Sequence, residues 1–184
     1  MRRLRWIVPL LLLVVAAAAA AAYLLVEPDL SDGRDQVDAA WTPLRAPLTA
    51  RYEALGVATQ ALVDAGAGER AVTKDLTATL ERWNRLALRG PAHTRPGVEA
   101  SIANELEALA RRARANVTAS ARLNTNQVVT EALGAFDLAV IPPPLVRDYN
   151  RAVREYQDAR GGTIDALVAK VLSFDPRPVL QVGT

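Results

Sequence analysis

The pattern of hydrophobic positions divides the chain into one uncharged run near its start and several amphipathic segments after it. Residues 6–26 carry no charge, and Pro9 alone interrupts this apolar run of 21 residues. As a helix the run is about 31 Å long, which matches the hydrocarbon thickness of a bilayer. Arg2, Arg3 and Arg5 precede it, and such residues stay on the cytoplasmic side. The pattern predicts a cytoplasmic segment at 1–5, a transmembrane anchor in the lipid bilayer at 6–26 and an extracytoplasmic domain at 27–184.

A cleaved signal peptide is the alternative interpretation of the same run. It has a basic start, an apolar stretch and small residues at 16–22, and cleavage after Ala22 suits a signal peptidase. The apolar run continues through residues 23–26, and this extra length favours an anchor. Both interpretations place the rest of the chain outside the cytoplasm.

Apolar residues then recur at three- and four-residue steps, the period of an amphipathic helix. Pro43 and Pro47 should kink or restart the first helix, with Thr42 as a plausible N-cap. Residues 64–68, with two glycines, should end it. The first two stripes are Val37, Trp41, Leu44, Leu48, Tyr52, Leu55 and Leu62, then Val72, Leu76, Leu80, Trp83 and Ala87.

Two further stripes follow a turn rich in Gly and Pro at 90–97. The third helix either continues through Asn124–Asn126 or is interrupted there, and residues 142–144, all proline, must end it. The fourth helix has a weak point at Gly161 and Gly162, and the tail at 174–178 cannot be regular helix. The stripes are Val98, Ile102, Leu106, Leu109, Ala113, Val117, Ala121, Val128, Ala132 and Phe136, then Val146, Tyr149, Val153, Tyr156, Ile164, Leu167 and Val171.

No segment alternates with a period of two, so the predicted fold class is all-α. Amphipathic helices joined by short turns pack most simply as an antiparallel bundle, here of about four long helices. The sequence therefore predicts an N-terminal transmembrane helix followed by a long-helix bundle.

Composition and charge exclude several functions. The chain has no Cys, so disulfides, thiolate metal sites and Cys nucleophiles are absent. Removing Arg2, Arg3 and Arg5 from the 22 basic residues leaves 19 against 20 acidic ones. The domain is therefore nearly neutral, and we expect no nucleic-acid partner. We also expect no cofactor and no metal site.

Two stretches resemble the LemA family of bacterial membrane proteins. The first is Gln36-Val37-Asp38-Ala39-Ala40-Trp41, followed by Leu44, Leu48, Arg51, Tyr52 and Leu55. The second is Tyr149-Asn150-Arg151-Ala152-Val153-Arg154-Glu155-Tyr156, then Leu167-Val168-Ala169, then Phe174-Asp175-Pro176-Arg177-Pro178. Order and spacing are similar to the family's YN-x-AV-x-x-Y and F-x-P-x-P closing pattern. The proline break at 142–144 departs from that pattern, so the chain is similar to a divergent member. The resemblance implies a long-helix bundle outside the cytoplasmic membrane and supplies no catalytic residues.

Four sets of residues are candidates for chemistry, and for each the plainer interpretation is favoured. His93 is the one histidine and has no second His or Cys, so an exposed turn residue is expected. Arg111, Arg112, Arg114 and Arg122 could contact lipid headgroups or acidic polymer, but Glu99, Glu105 and Glu107 upstream favour an ordinary solvated face. The carboxylate pairs Glu105–Glu107 and Asp158–Asp165 are expected to have no catalytic role.

Tyr149, Asn150 and Tyr156 form the most suggestive polar set. They could grip a partner, but the favoured interpretation is packing, with the hydroxyls at the bundle edge. The tail at 174–178 is expected to cap the end of the bundle.

The sequence thus predicts a non-catalytic interaction or scaffold protein with an unidentified protein partner. A self-associating, membrane-organising homo-oligomer is the alternative, and an envelope hydrolase is a third, weaker hypothesis.

Overall fold

The computed structural model describes residues 28–87 and 95–182, apart from the side chains of residues 163–165 and 167. These residues form helices and connecting turns with no strand among them, which confirms the all-α prediction for this part of the chain. The cytoplasmic segment 1–5 and the predicted anchor at 6–26 lie outside the described residues. Among the described helices, none alone has the length and hydropathy of a membrane span. A pair bent by 63°, Gln127–Leu138 with Pro143–Ala159, reaches both criteria together.

Eight helices are labelled here in chain order. Helix α1 covers residues 28–41 and leads through a 3-10 turn, Thr42–Leu44, into α2. A π-helical turn at Val63–Ala67 follows α2. Gly66 within it has a φ of 74°, which glycine adopts without the steric cost that a Cβ atom would add. Residues 174–182 form a tail without regular secondary structure, called the tail below. The remaining bounds are α2 Arg45–Leu62, α3 Ala71–Ala87, α4 Pro96–Thr118, α5 Ala121–Asn124, α6 Gln127–Leu138, α7 Pro143–Ala159 and α8 Thr163–Val171.

Helices α2, α3, α4 and α6 pack side by side and form what we call the upper half. Helices α2 and α6 run antiparallel, because Arg51 early in α2 reaches the carbonyl of Phe136 late in α6, whereas Arg122, which precedes α6, reaches the carbonyl of Gly66. Helices α3 and α4 also run antiparallel, because Arg70 lies beside Ser120 and Arg82 beside Glu105.

Helices α1 and α7, together with the tail, form what we call the lower half. Trp41 at the end of α1 contacts Tyr149 early in α7, and a Cβ atom added to Gly33 would lie 3.2 Å from the ring of Tyr156, late in α7. The two helices are therefore antiparallel. The legs α1–α2, α3, α4 and α6–α7 alternate in direction, so the bundle is antiparallel. The predicted third helix is divided between the last two legs, because α6 does not continue α4 and leads into α7 instead.

The predicted stripes describe the core well. All seven residues of the first stripe are buried, as are Val72, Leu76, Leu80 and Trp83 of the second. Ala, Leu and a few aromatic rings fill the centre, so helix packing buries the apolar faces that the sequence shows. The first two legs are thus held by the faces that their period predicts.

The prediction that Thr42 is an N-cap is wrong. Its hydroxyl donates to the carbonyl of Asp38, one turn earlier, and its backbone lies within the 3-10 turn. Pro43 is accommodated there because it lies in the first positions of the turn, whose N–H groups have no partner within the turn. The chain tightens at this point rather than starting a new capped helix.

The third helix is interrupted near Asn124–Asn126, which was one of the two predicted alternatives. Helix α4 ends at Thr118, and the side chain of Asn126 accepts a hydrogen bond from the backbone N–H of Val129, which caps α6. After this restart Val129 is buried and Val128 is 66% exposed, while Ala132 and Phe136 are buried as predicted. Val98 at the start of α4 and Ala121 at the start of α5 are also exposed, so all three residues were wrongly included in the stripe.

The predicted fourth helix is two helices. Helix α7 ends at Ala159 and α8 begins at Thr163, with the two glycines between them. Val171 is 75% exposed and does not belong to the core. The break at 142–144 is confirmed, because α7 begins at Pro143.

Candidate functional site: a buried ion pair beneath a basic groove

A buried ion pair joins α2 to α4 in the upper half. The Nε atom of Arg51 donates to one carboxylate oxygen of Glu107 at 2.6 Å, and Nη2 donates to the other at 2.9 Å. Both residues are buried, at 8% and 3% exposed. This bidentate geometry is the strongest form of such a pair, so it fixes the register of α2 against α4.

Arg51 also closes the end of α6. Its Nη1 atom donates to the carbonyls of Phe136 and Ala139, at 3.1 and 3.0 Å, and its guanidinium lies 4.0 Å from the centre of the Phe136 ring. Carbonyls at a helix C-terminus lack partners within the helix, and a cation there is favourable. Arg51 therefore connects three helices at one point.

The electrostatics of this point follow from burial and from Glu107. Burial lowers the pKa of Arg51, but the hydrogen bonds and the charge of Glu107 offset this, so the pKa lies above its ordinary value. Burial, and then the negative charge of Glu107, raises the pKa of neighbouring Tyr52 well above its usual range. Arg51 is therefore charged and Tyr52 neutral at ordinary pH.

A groove of about 600 Å³ opens beside this ion pair, between α4, α6 and α7. Its apolar wall includes Phe136, Ile141 and Val146, and Val182 of the tail lies against it. Three further arginines also line the groove: Arg114 pairs with Asp137, while Arg111 and Arg147 are exposed. We call this feature the basic groove.

A second buried carboxylate, Glu99, lies where the two halves meet. It is 2% exposed and accepts a hydrogen bond from the indole Nε1 of Trp41 at 2.7 Å. The guanidinium of Arg45 lies 3.3 Å away, and the backbone N–H of Arg95 donates to the other oxygen. All of this holds the carboxylate in place, so Glu99 joins α1 and α2 to the start of α4.

The polar set on α7 binds the tail. The hydroxyl of Tyr149 donates to the carbonyl of Pro178 at 3.0 Å, and that of Tyr156 donates to the carbonyl of Asp175 at 3.2 Å. Asn150 brackets Leu180: its amide nitrogen donates to the Leu180 carbonyl, and its oxygen accepts from the Leu180 N–H. The packing interpretation is thus confirmed, and what these residues grip is the protein's own backbone.

Asn104 on α4 binds the backbone of the two residues on either side of Leu180. It donates to the carbonyl of Val179 and accepts from the N–H of Gln181, at 2.8 and 2.7 Å. Arg177 reaches Asp38 on α1 at 3.1 Å. The tail therefore runs along the side of the bundle and joins α1, α4 and α7, rather than covering one end as expected.

Burial also sets the titration of this region. Burial raises the pKa of Tyr149 far above the ordinary value of a phenol, and it raises the pKa of Tyr156 in the same direction. Burial raises the pKa of Asp38 too, although Arg177 opposes this. The hydroxyls that bind the tail are therefore protonated donors.

The four arginines of the predicted basic cluster do not act together. Arg122 donates to the carbonyl of Gly66, Arg114 binds Asp137, and Arg111 faces the basic groove. Arg112 points to a different surface, beside Asp75 and Glu105. His93 lies outside the described residues.

The interpretation of Glu99, Glu105 and Glu107 as a solvated face is wrong for two of them. Glu99 and Glu107 are buried, and Glu105 alone is on the surface, where it accepts from Arg82 and Thr79 of α3. Glu105 and Glu107 face different helices, as residues two apart must. Asp158 is exposed, and the side chain of Asp165 lies outside the described set.

Arg51 was missed as a site residue, although a signal was present. It lies between Leu48 and Leu55 at helical spacing, on the buried face of the first stripe. A cation at such a position requires a buried acid as its partner. The stripe predicts that Arg51 is buried and needs an acidic partner, but the sequence does not show which acidic residue is that partner.

Among the described residues, no group of three or more His, Asp or Glu side chains is arranged to hold a metal ion. Comparison with protein-family models, with curated proteins and with solved structures finds no match.

Proposed function

We propose that this chain is a LemA-like, single-pass membrane protein whose helical bundle stands on the outer face of the cytoplasmic membrane and binds another protein without catalysis. The observation that supports it most is how the buried charges are used. Arg51, Glu99 and Glu107 bind one another's helices through direct hydrogen bonds and ion pairs. Reactive sites need a group kept ready for substrate, whereas these groups serve the architecture.

The membrane part of the proposal rests on the uncharged run at 6–26 and on Arg2, Arg3 and Arg5 before it. The LemA-like part rests on the motifs at residues 36–41 and 149–156 and at the tail. The tyrosines and the asparagine of the second motif bind the tail, so that motif is explained by architecture and does not demand a ligand.

Placement can be tested by cysteine labelling, because the chain has no cysteine of its own. Val57 is 62% exposed on α2, so Val57→Cys leaves the core unchanged. A membrane-impermeant maleimide should label this variant in intact cells. Labelling that requires lysis would place the bundle inside the cell and reject the proposal. A Cys introduced at Arg3 is the control, expected to react only after lysis.

The interaction can be tested by cross-linking in cells. A photoreactive residue at Val140, beside the basic groove, should give adducts with a second protein, whereas one at Val57 serves as the surface control. If neither position yields an adduct, and a pull-down in mild detergent recovers neither another protein nor a second copy, the interaction role is rejected.

Self-association is the alternative function. Small residues at 16–22 would let anchor helices approach closely within the bilayer. Replacing these alanines by leucine should then abolish cross-linked oligomers of the chain. Unchanged oligomers would remove this alternative.

A further inference from the structure

Two arginines of the basic groove have no counter-charge among the described residues. Arg51 is neutralised by Glu107 and Arg114 by Asp137, but neither Arg111 nor Arg147 forms a salt bridge with any residue that the structure describes. Both side chains are exposed, one on α4 and one on α7. The groove therefore carries two positive charges without an ion-pair partner among the described residues, one from α4 and one from α7.

The same groove offers apolar surface to a ligand. Val140 is 66% exposed at its lip, and Leu138 next to it is 84% exposed. Leu138 is the last residue of α6, and Val140 lies in the turn that leads to α7 and lines the groove. Exposed apolar side chains that are contiguous with a concave site mark binding surfaces.

We propose that the basic groove binds a segment of another protein in which apolar side chains alternate with carboxylates. The apolar side chains enter the groove against Val140 and Val146, and the carboxylates pair with Arg111 and Arg147. This inference rests on the proposed interaction function and specifies its site and the chemistry of its partner.

The position of the groove favours a protein over the membrane as the occupant. Arg51, at the base of the groove, lies 23 residues after residue 28, the first described residue beyond the predicted anchor. Along a helix this separation is roughly 35 Å. Charged lipid headgroups act over about one Debye length, roughly 8 Å at physiological salt. With the proposed anchor, and with α1 and α2 extending away from the bilayer, a protein segment reaches the groove, while headgroups beside residue 28 do not.

Binding should be measured with the full chain in nanodiscs of phosphatidylcholine. The probe is a fluorescein-labelled peptide with the core Glu-Leu-Glu-Phe-Glu, followed by fluorescence anisotropy. Two control peptides carry Gln-Leu-Gln-Phe-Gln or Glu-Ser-Glu-Ser-Glu. Binding of the first peptide alone is expected, because the groove supplies both charge and apolar surface.

The decisive variant is Arg111→Gln with Arg147→Gln, which should weaken binding roughly tenfold or more through the loss of two charge-assisted contacts. Its matched control is Arg112→Gln with Arg154→Gln, on the same two helices and with the same change in net charge. The control pair should change the affinity less than about twofold, as expected for exposed charges away from the site. Equal losses from both pairs would show non-specific attraction and overturn the proposal.

A third variant tests the apolar wall. Val140→Glu adds a negative charge at an exposed position, so the fold is retained and the peptide is repelled. Binding that survives this variant contradicts the proposed site. Dodecanoate is the probe for a lipid-like acid. If dodecanoate binds with the same dependence on Arg111 and Arg147 and the peptide does not bind, the groove takes a lipid-like acid, and the proposal of a protein segment is rejected. Because these measurements use purified protein, their failure is separable from a failure of the labelling experiment in cells.

Discussion

The upper and lower halves of this molecule are stabilised by different interactions. In the upper half, α2, α3, α4 and α6 pack against one another, and one buried ion pair, Arg51 with Glu107, sets their register. In the lower half, α1 and α7 pack through aromatic rings, and side chains bind the backbone of the tail. Packing between helix faces stabilises the upper half, and hydrogen bonds to the extended tail stabilise the lower half.

This difference has a physical reason. An extended segment has no internal hydrogen bonds, so its buried N–H and C=O groups require partners elsewhere. Asn104 and Asn150 supply a donor and an acceptor each, and Tyr149 and Tyr156 supply donors. Such a region should open at lower free energy than a helix whose hydrogen bonds are its own. The molecule thus combines a cooperative upper half with a lower half that depends on a few side chains.

The largest expected effect is in the upper half. Arg51→Met leaves Glu107 as a buried carboxylate without its partner, which should lower the free energy of unfolding by about 3–5 kcal/mol. The double variant Arg51→Met/Glu107→Met should recover most of this loss, because no uncompensated charge remains. Urea unfolding of the full chain, followed by circular dichroism at 222 nm, measures both. A single variant within about 1 kcal/mol of the parent would mean that the pair does not order the upper half.

A smaller and more local effect is expected in the lower half. Asn150→Ala removes both hydrogen bonds to Leu180 and leaves buried backbone groups unsatisfied, at about 1–3 kcal/mol. Hydrogen exchange should accelerate at the amide of Leu180 and its neighbours and stay unchanged in α3. Asn116→Ala is the control, because Asn116 binds only the carbonyl of Arg112 on its own helix. Faster exchange in α3 as well would show that the two halves open together.

The two halves should respond together to alkaline pH. Burial raises the pKa of Tyr52 in the upper half and of Tyr149 in the lower half. In the unfolded chain these phenols ionise near pH 10, while in the folded protein they stay protonated, so the folded state holds more protons above that pH. Stability is therefore fully present below pH 10 and falls as pH rises, by about 1.4 kcal/mol per pH unit for each such tyrosine.

Single substitutions show how much of this dependence of stability on pH comes from each half. Tyr52→Phe and Tyr149→Phe should each reduce the loss of stability between pH 10 and 11, measured by urea unfolding, apart from a constant offset for the lost hydrogen bond. Tyrosinate absorbance at 295 nm should rise for these residues only as the protein unfolds. A rise that precedes unfolding would contradict the effect assigned to burial.

The smallest effect is expected at the surface. Arg82 and Glu105 join α3 to α4, but both side chains are nearly half exposed. Arg82→Gln should therefore change the free energy of unfolding by about 0–1 kcal/mol, and less at high salt. A loss as large as that of Arg51→Met would show that exposed pairs, not the buried one, hold the upper half.

Sequence periodicity predicted what depends on local spacing. The stripe through Val37, Trp41 and Leu48 identified a buried face, because each helical turn returns a residue to the same side. The three prolines correctly predicted a break, because proline lacks the N–H group that a helix interior needs; α6 ends at Leu138 and α7 begins at Pro143. These features need only neighbouring residues.

Contacts between distant residues were beyond its reach. Arg51 and Glu107 are 56 residues apart, and nothing near Glu107 shows that it is buried. The restart at Asn126 buries Val129 instead of Val128, which a continued period could not reveal, although Ala132 and Phe136 are buried as predicted. The groove depends on how α4, α6 and α7 meet, so its arginines were identified as a cluster but not divided among their separate roles.

The course of the tail also fixes the order in which the protein can be completed during synthesis. All the helices of the upper half precede residue 139, whereas the contact between Arg177 and Asp38 spans 139 residues. Asp38 leaves the ribosome long before its partner is made, so α1 must wait with one side uncovered. The tail is translated after every helix described here, so its contact with Asp38 covers α1 only after those helices have been made.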